Sequence, residues 1–237
     1  VRSEVLKLIQ ARSKSNQEIL DLIKSKDNTL VHTYDALLNH EAVYSEIENF
    51  PADLQETVKH ALRSSSVMRG YTIHIGSPEY FTQETGLLHN ANGVITNGAI
   101  NIANRTIHLV AVDGAIDYEV LAHELVHAAT MEKVEAVLNG SNTNVATVAA
   151  VERLKVLRSQ LKQMHANEAI LRTPAQNLAV KNVINSMKDA LTNVGEAAEL
   201  NELMAWATTN QELIDLGKTT KAAVGMFTQI TRSVIQM

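Results

Sequence analysis

Hydrophobic and polar positions recur with two different periods along this chain, and the change of period divides it. In the first 64 or so residues, Val5, Leu8, Ile9, Ile19, Leu20, Leu22 and Ile23 fall at helical spacing with Lys, Arg, Glu and Gln between them. Lys26–Thr29 breaks the pattern, a second helical stretch runs from Tyr34 to Ile47, and Pro51 after Phe50 marks the next start. After Arg69-Gly70 the period shortens to two. Tyr71–Ile75 alternates and is rich in β-formers, so it reads as a strand ended by Gly76–Pro78, with the polar stretch 79–92 as loop. Gly93–Thr96, Ala99–Ile102 and Thr106–Val112 read as short strands, with Asn97-Gly98 and Asn104-Arg105 as turns, making a small β-meander.

The helical period then returns. Asp117 is the expected N-cap of a helix that runs to about Leu138, where Asn139-Gly140 stops it. Asn144 to Met187 is helical again, divided by Thr173-Pro174 into a first half carrying Val148, Val151, Leu154, Val156, Leu157 and Leu161 and a second from Ala175 to about Asn193. Gly195 breaks the pattern, Glu196 opens a helix through about Thr208, and Asn210 caps another short one. The tail 218–237 is helical or frayed, and its apolar end suggests a parent chain that continues. The expected fold is α+β and predominantly helical. A helical region spans 1–69, and a domain spans 70–237 with a helical hairpin inserted at about 140–195.

One helix departs from the amphipathic rule. In Val120-Leu-Ala-His-Glu-Leu-Val-His-Ala-Ala129 only His123, Glu124 and His127 are polar, and the apolar side chains spread around the whole circumference. Such a helix is a buried one, where an unpaired charge is costly. His123 and His127 stand at i and i+4, so both imidazoles can reach one Zn²⁺ at about 2.0–2.1 Å. Glu124 is turned by about 100°, away from the ligand row but well placed to act as general base on a metal-bound water. H-E-x-x-H arises by chance in roughly one chain of this length in a hundred, usually on a solvated amphipathic helix, whereas here apolar residues enclose it.

Composition narrows the chemistry. The 237 residues are 45% hydrophobic but only 4% aromatic, so aliphatic residues carry the core and lean it towards helix. A net charge of −5 gives no argument for nucleic-acid binding, and no apolar run approaches the roughly 20 residues of a membrane span. With no cysteine, a third zinc ligand must be His, Asp or Glu. Thr130 and Lys133 stand where the pattern H-E-x-x-H-x-x-G-x-x-H has its Gly and its last His, so that arrangement is excluded. Glu196, Glu199 and Glu202 share one later helix. Its large apolar residues Leu200, Leu203 and Met204 favour Glu196 or Glu199 by burial alone, whereas the small Ala198 and Ala205 beside Glu202 would allow a close helix approach and Trp206, one turn on, would shield that side from water.

H-E-x-x-H is the zincin metallopeptidase signature, and Glu199-Leu-Asn-Glu-Leu-Met-Ala-Trp-Ala207 resembles the second element of the gluzincins. It is similar to the Glu-(aromatic or aliphatic)-x-Ala pattern of lethal-factor-like peptidases and of the peptidase domains in large polyvalent phage proteins. The resemblance covers about residues 71–130 and 196–215. It implies Zn²⁺ held by His123, His127 and Glu202, with Glu124 activating water to hydrolyse a peptide or protein substrate. It also implies that the strand Thr106–Val112 offers an edge to an extended substrate. Gly195 stands where lethal-factor-like enzymes have a Tyr that assists the oxyanion, leaving Tyr118, His108 and His165 as candidates. The competing expectation is a metal-binding zincin-fold domain with a structural or interaction role inside a longer phage protein, virion-associated or delivered into a bacterial cytoplasm. A weaker one is a helical interaction module carrying a fortuitous motif.

Overall fold

The computed structural model describes residues 47–63, 71–76, 78–85, 97–112, 115–166 and 173–219. The helices expected before residue 47, the strand over 93–96 and the tail beyond 219 lie outside the described residues. Among those described, the fold is α+β and predominantly helical. A 3-10 turn, Ile47–Asn49, precedes helix α1 (Ala52–Arg63), strand β1 (Thr72–Gly76), α2 (Pro78–Thr85), β2 (Gly98–Asn101), β3 (Thr106–Val112) and β4 (Ala115–Ile116). The long helix α3 (Tyr118–Leu138) follows, then α4 (Val145–Ala166), α5 (Pro174–Asn193), α6 (Glu196–Thr209) and α7 (Gln211–Thr219). The chain clusters into two units, one of residues 1–55 and 65–124, the other of 56–64 and 125–237.

In the first unit β3 is the central strand. β1 pairs with it in parallel, and β2 and then β4 pair with its other side antiparallel. The described part of the expected meander holds, since β2 and β3 pair antiparallel, while β1 joins β3 in parallel, across a connection that contains a helix. One expectation fails here: Thr106–Val112 does not present an edge, because its backbone is taken up on both sides, and among the described residues the edge on the antiparallel side is β2. The alternation of the sequence is nonetheless obeyed. Ile73 and Ile75 pair with Ile107 and Leu109 to make one apolar face, and all four are buried.

The stretch read as loop from residue 79 begins instead as a helix. Pro78 suits a first helical turn, and the hydroxyls of Thr82 and Thr85 donate to the carbonyls of Pro78 and Phe81 at 2.8 and 2.7 Å. Gly76 lets this helix follow the strand at once, since a Cβ there would lie 2.1 Å from Cδ1 of Tyr80. The apolar signal was too small to show a period: Phe81 is 2% exposed but has little apolar company on its helix.

The second unit is built of helices. Val126 and Val134 of α3, Val151, Leu154, Leu157 and Leu161 of α4, Val180, Val183 and Met187 of α5, and Leu200, Leu203 and Met204 of α6 form one buried cluster. Both α4 and α5 lie against α6. Thr173 and Gln176 close a capping box around Pro174 at the start of α5, each bond 3.1 Å. Asn139 and Gly140 end α3, with Gly140 at φ 78°, the left-handed conformation that glycine adopts without a Cβ penalty. Further along α3, burial holds the Lys133 ammonium below the ordinary lysine value.

Candidate metal centre

α3 begins as its sequence requires. The Asp117 carboxylate accepts from the backbone N–H of Glu119 at 2.8 Å and of Val120 at 3.4 Å, capping the first turn. Leu121, Ala122, Leu125, Val126, Ala128 and Ala129 are all buried, so the helix that carries H-E-x-x-H is enclosed nearly all round. Glu124 and His127 are buried with it, each 6% exposed.

His123 and His127 lie on successive turns, and the Glu202 carboxylate of α6 joins them. One ligand atom from each of the three lies within 4.8 Å of the others. Among the described residues, this is the group of three or more His, Asp or Glu side chains so arranged. His127 Nε2 stands 3.3 Å from Glu202 Oε1. Two ligands at about 2.0–2.1 Å from a tetrahedral zinc are separated by about 3.3 Å. The donor set and the His127–Glu202 spacing therefore fit such an ion.

The state of His127 follows from its other neighbours. The Thr130 hydroxyl donates to the Val126 carbonyl at 2.6 Å, so its oxygen accepts from Asn201 Nδ2 at 2.7 Å. That turns the amide oxygen of Asn201 towards His127 Nδ1, with which it makes a hydrogen bond. An amide oxygen only accepts, so His127 Nδ1 carries the proton and Nε2 faces Glu202 with its lone pair. An acceptor nitrogen and a carboxylate oxygen at 3.3 Å call for a positive charge between them. A proton on Nε2 or a metal ion supplies it, and the presence of His123 as a third donor suits the metal.

Glu202 is fixed from its far side as well: Trp206 Nε1 donates to its Oε2 at 3.1 Å. Glu199 has a different task. It is 1% exposed, as the apolar face of α6 implies, but its two oxygens accept from Arg158 and Lys162 of α4, each at 2.6 Å. Arg158 also reaches Glu196 at 3.0 Å. Of the three glutamates, the structure brings Glu202 alone to the histidines and engages the other two with cations.

Glu124 reaches out from α3 to the sheet. A Cβ on Gly98 would stand 2.9 Å from Glu124 Oε1 and 2.5 Å from Val120 Cγ1, so β2 approaches this carboxylate as closely as a residue without a side chain allows. Of the three oxyanion candidates, the Tyr118 ring packs edge-on to Phe50 at 4.9 Å, the His108 ring stacks on His74 at 4.9 Å, and His165 is exposed in the last turn of α4.

Sequence reasoning missed Asn201. Its neighbour in sequence was weighed as a ligand, yet Asn201 is fully buried on an otherwise apolar face. A buried Asn needs partners for both ends of its amide, and that was the available signal.

No family model matches the chain, and no solved structure matches it. The chain is similar to the virion DNA-directed RNA polymerase of Enterobacteria phage N4, 28% identical over 206 residues, which take in 80% of this chain and 6% of that protein. The chain thus spans a small part of the length of the curated relative it matches.

Proposed function

We propose that this chain carries a zinc-dependent peptidase site of the gluzincin kind, with His123, His127 and Glu202 as ligands and Glu124 as general base. One observation carries the reading. His127 Nε2 and Glu202 Oε1 face each other at 3.3 Å, the edge of a tetrahedral zinc site, with His123 completing the donor set. When bound, Zn²⁺ supplies an acidified water and polarises the scissile carbonyl. Glu124 accepts the proton of the attacking water and passes it to the leaving amine. Its burial beside the Gly98 backbone holds the carboxylate close to the β2 edge. An extended substrate pairing with that edge by β-augmentation would lie next to the base.

A second reading keeps the metal and drops the turnover: a structural or interaction domain of a longer, virion-associated protein delivered into a bacterial cytoplasm. Similarity to a region of a phage virion protein supports that setting. The shared region is 6% of that protein, so its polymerase activity is not carried over. No described helix is long and apolar enough to cross a membrane. The buried glutamate between the two histidines favours the enzyme, because a purely structural site has no use for a base there.

Metal analysis and anomalous scattering at the zinc edge test the site: about one Zn²⁺ per chain is expected, lost in His123→Ala, His127→Ala and Glu202→Ala. Wild-type protein that takes up no zinc would overturn both readings. Glu124→Gln is expected to keep the metal and lose all peptide cleavage, and cleavage at the wild-type rate would remove Glu124 as the base.

A further inference from the structure

Trp206 stands one turn after Glu202 on α6. Helical side chains lean towards the N-terminus, so a residue at i+4 lies over its partner at i. The indole Nε1–H uses this geometry to donate to Glu202 Oε2 at 3.1 Å, while Oε1 is the oxygen 3.3 Å from His127 Nε2. The ring is partly buried and packs against the core cluster, so it holds its place without help from a metal. A carboxylate otherwise has two ways to ligate, through one oxygen or through both. Here one oxygen is engaged by a donor that has no acceptor function, and the plane of the carboxylate is set by the same bond.

We propose that Trp206 is a positioning residue that restricts Glu202 to one-oxygen ligation and so biases the centre towards four-coordinate cations. Zn²⁺ and Co²⁺ accept a compact set of two imidazoles, one carboxylate oxygen and one open position. Ca²⁺, which takes six to eight oxygens and uses carboxylates through both oxygens, is disfavoured. This rests on the metal reading above. The chain's sole tryptophan also becomes a built-in reporter, because the carboxylate to which it donates changes from free anion to metal ligand on binding.

The experiment compares wild type, Trp206→Phe and His123→Ala, each stripped by chelator, with melting in chelator as the check on folding. In wild type, one equivalent of Zn²⁺ is expected to change the tryptophan emission saturably, and His123→Ala, which keeps the indole and Glu202, is expected to lose that response at the same zinc concentration. Trp206→Phe should bind zinc about ten-fold more weakly, as loss of an outer-shell partner does. Its Co²⁺ form should lose the intense visible bands of four-coordinate cobalt as the second carboxylate oxygen joins. Zinc binding by wild type with no change in emission would overturn the proposal, even if the phenylalanine variant fails to fold. So would Trp206→Phe with wild-type zinc affinity and an unchanged cobalt spectrum. No metal binding by wild type would instead overturn the metal reading itself.

Discussion

At the scale of single residues, the centre depends as much on the groups behind the ligands as on the ligands. His127 presents Nε2 only because Asn201 holds Nδ1, and Asn201 is turned the right way only because Thr130 has spent its proton on Val126. Leucine at position 201 keeps the branching of the side chain and breaks that chain at both ends. Asn201→Leu is expected to weaken zinc binding by about 10–100-fold and to cost about 1–3 kcal/mol of stability by orphaning a buried donor. Thr130→Val removes only the orienting contact and should fall between Asn201→Leu and wild type. Competition with a chromogenic chelator reads the affinity, and equal binding by all three proteins would separate Asn201 from the site. The two histidines and Glu124 were legible in the sequence because their relation is local: helical periodicity alone sets which side chains share a face. The Asn201–Thr130 bond was not, because it exists only where α6 passes α3.

At the scale of elements, α6 divides its polar residues between two neighbours. Asn201 and Glu202 serve His127 of α3, while Glu196 and Glu199 bind Arg158 of α4, Glu199 with Lys162 as well. Burial along the helix favours Glu196 or Glu199 without choosing between them; Glu199 is enclosed and Glu196 is exposed, and the pattern does not say what either meets. The ligand choice therefore came from the family pattern and from the small residues flanking Glu202. Glu199→Gln leaves Arg158 and Lys162 without their shared anion. Because Lys162 is about half exposed, the loss is expected at about 2 kcal/mol rather than the larger figure for a fully buried pair. Its zinc stoichiometry should stay at wild type, whereas Glu202→Gln should lose zinc with little effect on the melting of the metal-free protein. Calorimetry with metal analysis checks both, and a metal-free Glu199→Gln would move the ligand back one turn. The sheet was legible strand by strand but not in its order. Alternation fixes which face of Thr106–Val112 is apolar, and it carries no information about which strands lie on either side.

At the scale of the whole molecule, the ligands come from two places in the chain, with α4 and α5 between them. A metal bound by His127 and Glu202 closes that long segment into a loop, and it does so only in the folded state, since the spacing of donors depends on α3 and α6 being packed. Metal binding is then linked to folding in proportion to how far the free ion exceeds its dissociation constant. At a thousand-fold excess the linkage is about 4 kcal/mol, which for a chain of this size raises the melting temperature by roughly 8–16 °C. Glu124→Gln should show the full rise, because a base contributes nothing to ligation. His127→Ala should show none, and chelator should bring wild type down to its metal-free melting point. The Arg158–Glu199–Lys162 contacts tie α4 to α6 without the metal, so the metal-free protein is expected to melt as a folded protein rather than to start unfolded. A melting temperature indifferent to zinc in wild type would mean that the three donors are held together by the helices alone and that no ion is bound between them.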